Sequence, residues 1–226
     1  MNILAIDTAT EACSAALLIH GDVREQFVVA PRKHSELILP MAEALLAEAG
    51  ITLRQLDALA FGRGPGSFTG IRIATGVIQG IALGTGLPVV PVSTLAAIAQ
   101  GVYRERGSEQ VIAAIDARMG EIYWGCFRLN NEKCMESVTG EGIYKPDSIP
   151  VPEIAAWAAA GSAWNTYAVE LEKLITYPLS HVDGEYLPHA QDIAQLAAYG
   201  YQQGLAVPGE QAQPVYLRDQ VAWKRS

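Results

Sequence analysis

A short echo constrains this chain more than any other feature. Leu4-Ala5-Ile6-Asp7 returns about a hundred residues later as Ala113-Ala114-Ile115-Asp116, each an apolar strand running into an acid and a polar turn. A second strand follows each copy, Cys13 to Ile19 in one and Ile122 to Leu129 in the other, and each closes in a hairpin turn, Gly21-Asp22 and Asn130-Asn131. Short strands ending in Asp are common, so four residues alone would be weak. The matching hairpins favour duplication over coincidence. The period therefore predicts two topologically similar halves facing one another, over residues 1–108 and 109–226.

The first half reads clearly. Strands over Ile3 to Asp7, Cys13 to Ile19 and Val23 to Val29 lead through Pro31-Arg32-Lys33-His34-Ser35-Glu36 into a helix. Its apolar residues are Leu37, Met41, Ala44, Leu45 and Ala49, and Gly50 closes it. Pro40 sits near its start or kinks it. Thr52 caps a short turn before the strand Ala58 to Phe61; a glycine loop and a second helix follow, then a strand over Leu87 to Val92. Ser93 or Thr94 caps a third helix from Leu95 to about Arg106. The order is βββαβαβα. The second half is a degenerate copy, interrupted by Pro146, Pro150 and Pro152, with one well-marked helix from about Ala190 to Gln203. Pro214-Val215-Tyr216-Leu217-Arg218 belongs to a closing stretch of about fifteen residues expected to return to the first half.

The most distinctive segment runs from Phe61 to Gly76, Phe-Gly-Arg-Gly-Pro-Gly-Ser-Phe-Thr-Gly-Ile-Arg-Ile-Ala-Thr-Gly. Ser67 stands where a helix cap belongs. The helix after it carries Gly76, Gly80 and Gly84, four apart and nearly on one face. Each costs about 1 kcal/mol relative to alanine, so another backbone is expected against that face. That backbone is either a partner's helix or this chain's own sheet. A glycine loop before a helix also suggests phosphate binding. However, no lysine stands where a P-loop needs one, the spacing is not that of a dinucleotide fold, and Gly66 directly precedes Ser67 instead of flanking it as in a nucleophile elbow.

Charge and composition exclude other classes. The net charge is −8, and the short basic clusters Arg32-Lys33, Arg104 with Arg106, and Lys224-Arg225 do not make a nucleic-acid stripe. If RNA is a substrate, a partner holds it. Between Gly64 and Tyr103 the only charged residue is Arg72, and Gly76-x-x-x-Gly80 matches a membrane-helix motif. Yet Thr75, Gln79, Gly84, Thr85, Gly86 and Pro88 leave fewer than the ~20 apolar residues a span needs. The N-terminus has no basic leader and reads as a strand. Cys13, Cys126 and Cys134 are widely spaced with no CxxC pair, which reads as reduced thiols in a cytoplasmic protein.

His20, His34, His181 and His189 include no pair at metal-binding helical spacing. Asp7 with Thr8 and Thr10, and Asp116 with Arg118, could line a cleft between the halves and hold a magnesium nucleotide, although neither aspartate is followed by the glycine that lets a backbone approach phosphates. A structural role for both aspartates is equally open.

These motifs together resemble the bacterial TsaB (YeaZ) family. Ile3-Leu4-Ala5-Ile6-Asp7-Thr8, His34-Ser35-Glu36, the block Gly62 to Arg72, Asp116-Ala117-Arg118-Met119-Gly120-Glu121 and the closing Tyr216-Leu217-Arg218 carry the likeness, which spans essentially the whole chain. The resemblance implies a duplicated actin-like, Hsp70-like α/β fold. It also implies a non-catalytic platform subunit in making threonylcarbamoyladenosine at position 37 of tRNAs that read codons beginning with A. The platform would bind a catalytic TsaD-like paralogue as a heterodimer and a TsaE-like ATPase, pair with itself when alone, and meet tRNA only through the complex. It would have no cofactor of its own, ATP and a metal belonging to the partners, and no membrane role. TsaD-like proteins carry an H-x-x-x-H metal motif that this sequence lacks, so the transferase role and a peptidase label are not carried over. The expected partner surface is the two-helix face of His34, Glu36, Leu37, Ile38 and Met41 with Thr69, Arg72, Ile73, Gly76, Val77, Gly80 and Gly84. The competing readings are an independent ATPase or small-molecule kinase working in the cleft and, more remotely, a metallopeptidase.

Overall fold

The computed structural model describes residues 1–218, so the Lys224-Arg225 cluster and the end of the second half lie outside the described residues. Its first part runs β1 (Asn2–Asp7), β2 (Ala12–Ile19), β3 (Asp22–Val29), α1 (His34–Ala49), β4 (Ala58–Gly62), α2 (Phe68–Thr85), β5 (Val89–Val92) and α3 (Thr94–Arg106). The second part runs β6 (Gln110–Arg118), β7 (Glu121–Leu129), β8 (Met135–Tyr144), β9 (Ala158–Ala160), α4 (Ala163–Thr166), α5 (Ala168–Leu174), β10 (His181–Asp183) and α6 (Ala190–Gln202). Local chemistry sets the helix ends. Ser67 accepts the Gly70 amide and Ser93 the Ala96 amide, while Gly50, Gly86 and Gly107 end α1, α2 and α3 in the left-handed conformation that glycine adopts without strain.

Two five-stranded sheets repeat one another. The first is ordered β3-β2-β1-β4-β5 and the second β8-β7-β6-β9-β10. In each, the first strand pairs antiparallel with the second (Ile3 with Leu18; Ile112 with Cys126) and parallel with the fourth (Ile3 with Ala58; Ile112 with Ala159). The duplication is therefore a repeat of topology. What the second half lacks is a counterpart of α1: its third and fourth strands are joined by the proline-bearing stretch 145–157, and α4 and α5 are short. The degeneracy is in the helices and not in the sheet.

Alternation along the strands assigns the packing. Leu4 and Ile6 of β1 point with Leu59 and Phe61 to the face covered by Ile38 and Leu45 of α1 and Ala74 and Ile78 of α2. Ile3, Ala5, Ala58 and Ala60 point the other way, onto Ile193, Ala194 and Ala197 of α6. On the second sheet, Val111, Ala113 and Ile115 meet Leu95, Ile98 and Val102 of α3. Ile112, Ala114 and Trp124 face Ala163, Trp164 and Leu171 on the far side. Each half thus lends its last helix to the other's sheet, and α3 and α6 lie side by side between the two. Arg104 joins them with a two-pronged pair to Asp192, Nε to Oδ1 at 2.9 Å and NH2 to Oδ2 at 3.1 Å. No helix among the described residues is long and apolar enough to cross a membrane.

Candidate functional site

Six of the seven glycines from Gly62 to Gly84 fall into two groups with different physical reasons. Gly62, Gly66 and Gly70 press against the turn after β1. A Cβ added at Gly62 would overlap the Asp7 carboxyl, at Gly66 the Ala9 carbonyl oxygen, and at Gly70 the Thr8 carbonyl oxygen. The close approach is stitched by hydrogen bonds: the Ser67 amide donates to the Ala9 carbonyl at 2.8 Å, and the Thr8 hydroxyl donates to the Gly70 carbonyl at 2.7 Å. Ser67 Oγ accepts the Gly70 amide at 3.3 Å and acts as a cap. The loop that resembles a phosphate cradle is occupied by the chain's own first turn, and two of its amides are already satisfied.

Gly76, Gly80 and Gly84 are the opposite case. A Cβ at any of them would meet nothing within 4 Å. Among the described residues no backbone lies against the stripe, so the reading in which it packs on the chain's own sheet fails. The exposed face is extended by Thr69 and Arg72, by half-buried Ile73 and Val77, and by Leu83, which is 89% exposed. From α1, Glu36 is exposed and Leu37 half-buried. His34, Ile38 and Met41 are different: all three are buried, Ile38 and Met41 in the core under the first sheet. They support the face from beneath and are not on its surface.

The cleft between the sheets is real, with a volume of about 650 Å³, but it gathers only part of the expected set. Thr10, Asp116 and Arg118 line it, together with His34, Phe68, Tyr123, Tyr216 and Arg218. Asp7 and Thr8 do not. Asp7 is fully buried beneath Gly62, with Oδ1 accepting the Ala9 amide at 3.0 Å and Oδ2 without a partner. Burial pushes its carboxyl up to about 7, a shift that the Ala9 amide opposes. Across the cleft Asp116 is held by Arg118, whose NH1 donates to Oδ2 at 3.0 Å and whose NH2 lies 3.8 Å from Glu11 of the opposite half. Arg118 takes a left-handed φ of 63°, strained for a residue with a side chain. Among the described residues no group of three or more His, Cys, Asp or Glu is placed to hold a metal ion.

The closing segment runs along α2 toward its N-terminus. Gln79 Nε2 donates to the Ala212 carbonyl at 2.9 Å, the Val215 amide donates to the Arg63 carbonyl at 2.8 Å, and Arg72 Nε donates to the Tyr216 hydroxyl at 2.8 Å. The Arg72 guanidinium carbon also sits 3.7 Å from the centre of the Phe68 ring. Arg218 then crosses to the second half, its Nε donating to Glu121 at 3.1 Å. Phe68 and Tyr216 stand inside segments that the sequence singles out and Leu83 does not, but none of the three is marked there as a surface residue. The available signals are spacing alone: Phe68 stands four residues before Arg72, and Leu83 three after Gly80.

Comparison with known proteins follows the same lines. A family model described as "TsaD: tRNA N6-adenosine threonylcarbamoyltransferase" matches residues 28–224. The tRNA threonylcarbamoyladenosine biosynthesis protein TsaB of Escherichia coli K12 is 44% identical over 229 residues, covering 100% of this chain and 98% of that protein. Its counterpart from Haemophilus influenzae is 38% identical, covering 100% and 97%. The solved structure of YeaZ from Pseudomonas aeruginosa superposes with a TM-score of 0.90 at 46% identity, over 96% of this chain and 99% of that one.

Proposed function

The chain belongs to the TsaB (YeaZ) family, with its duplicated actin-like α/β fold, and from that premise we propose that it is a platform subunit in tRNA threonylcarbamoyladenosine biosynthesis. In this reading it performs no chemistry itself. It binds and activates a TsaD-like catalytic paralogue through α1 and α2 and recruits a TsaE-like ATPase, while ATP, metal and tRNA are held by those partners. One observation carries the reading: three glycines in a row along α2 face open space. An isolated helix gains nothing from them and loses about 1 kcal/mol at each, whereas a partner's backbone can approach such a stripe closely. The Ser67 amide is taken by the Ala9 carbonyl and the Gly70 amide by Ser67 Oγ, so neither is free for a phosphate, which also favours a scaffold over a nucleotide-hydrolysing enzyme.

Gly80→Leu tests this directly. The side chain projects into open space, so the monomer keeps its fold, and co-elution with the TsaD-like paralogue on size exclusion is lost. Unchanged co-elution refutes the interface. The cleft of about 650 Å³ leaves a nucleotide-binding reading to measure. Micromolar binding of magnesium ATP to the isolated chain in calorimetry would favour the enzyme instead.

A further inference from the structure

The row that holds the glycines begins earlier than they do. Phe68, Arg72, Gly76, Gly80 and Gly84 are each four residues apart, so the stripe reads aromatic, cation and then three bare positions. Arg72 is the only charged residue of α2, in a chain whose net charge is −8. Its guanidinium lies on the Phe68 ring at 3.7 Å, and its Nε–H is committed to the Tyr216 hydroxyl at 2.8 Å. Phe68 and Tyr216 themselves pack with ring centres 5.5 Å apart. Among the described residues no carboxylate lies within 4 Å of this guanidinium, and its two terminal amino groups have no hydrogen-bond partner. An arginine fixed on one face and along one edge presents the rest of its fork at the surface, already oriented for a planar two-oxygen acceptor.

We propose that Arg72 is the anchor by which this face recognises a carboxylate on its protein partner, and that Tyr216 is the positioning residue that holds the anchor in place. The proposal rests on the platform reading above and adds the chemistry of the partner: a helix that lies in the bare stripe and brings an Asp or Glu over the N-terminal end of α2. Charge complementarity supports that occupant. The cation lacks an acid of its own, and the N-terminal end of α2 favours the same sign of partner charge. Stacked arginines at the edge of a close-packed patch are the residues on which interfaces concentrate their affinity. The role of Tyr216 also gives the closing segment a function, since its path along α2 ends on the side chain that the partner would meet.

The test is the affinity of the intact chain for its purified TsaD-like paralogue, with thermal melts run beside it. Arg72→Ala is expected to weaken binding at least tenfold. Arg72→Lys should fall nearly as far, because an ammonium keeps the charge and loses the fork. Tyr216→Phe keeps the ring and removes the acceptor, and should cost about three- to fivefold through faster dissociation with an unchanged melt. One Asp or Glu on the paralogue, changed to Asn or Gln, should show a loss that does not add to that of Arg72→Ala. Wild-type binding by the Arg72 and Tyr216 variants, with Gly80→Leu still abolishing association, overturns the anchor and leaves the platform standing. Loss of binding by Arg72→Ala with no coupled acid on the paralogue overturns it as well. Wild-type binding by all variants, Gly80→Leu included, removes the platform reading itself.

Discussion

Replacing Gly76, Gly80 and Gly84 together by alanine separates the two groups of glycines in one experiment. Each interior helix glycine costs about 0.8–1.0 kcal/mol relative to alanine, and each added methyl here enters open space. The triple variant should therefore be more stable by about 2–2.5 kcal/mol, with Gly84 contributing least because α2 ends at Thr85. For a chain of this size that gain corresponds to a rise in Tm of about 4–10 °C. Urea unfolding followed by circular dichroism on dilute isolated chain measures it, dilution keeping self-association out of the balance. Gly70→Ala is the control with opposite sign. Its methyl would overlap the backbone oxygen of Thr8, which cannot move without breaking the turn, so a loss of about 1–3 kcal/mol or more is expected. A triple variant that is no more stable than the parent would refute the reasoning, because the stripe would then already be covered in the isolated protein.

Two further outcomes follow from the buried charges. Because burial holds the Asp7 carboxyl at about 7 in the folded state against 3.8 unfolded, the native protein binds a proton that the unfolded chain has released, and stability falls as pH rises through that window. Asp7→Asn, which keeps the acceptor for the Ala9 amide, should therefore raise stability by up to about 4 kcal/mol at pH 8 and by little at pH 4; a gain independent of pH would contradict the assignment. Arg104→Met strips the partner from Asp192, which is fully buried, and should cost about 3 kcal/mol in chemical denaturation. Wild-type stability of that variant would show that the pair does not tie α3 to α6.

Much of the first half was legible because its signals are local. Ser67, Ser93 and Gly50 mark helix ends by their own backbone chemistry, and Gly21-Asp22 marks a hairpin without reference to anything distant. The second half shows its first two strands through the echo but hides the later ones, for equally physical reasons. Ala158–Ala160 and His181–Asp183 are three residues each, too short to show a period, and β8 carries Gly140 and Gly142 on a largely exposed edge with a break in register opposite Gly125 to Phe127. The candidate surface was legible as a stripe but not as a surface. Nothing in the chain distinguishes Gly70, pinned on Thr8, from Gly76, facing open space, because that difference lies in what a segment sixty residues away is doing. For the same reason His34, Ile38 and Met41 read as contact residues and turn out to be core or its margin.

The exchange of α3 and α6 between the sheets has a consequence for synthesis. At about 5–20 residues per second, α6 leaves the ribosome roughly 5–20 s after α3 is complete, a delay set by the stretch of chain between them. Throughout that interval the alanine-rich face of Ile3, Ala5, Ala58 and Ala60 has no helix to cover it, although its own strands are finished. The nascent chain is obliged to wait for its last helix before its first sheet can close.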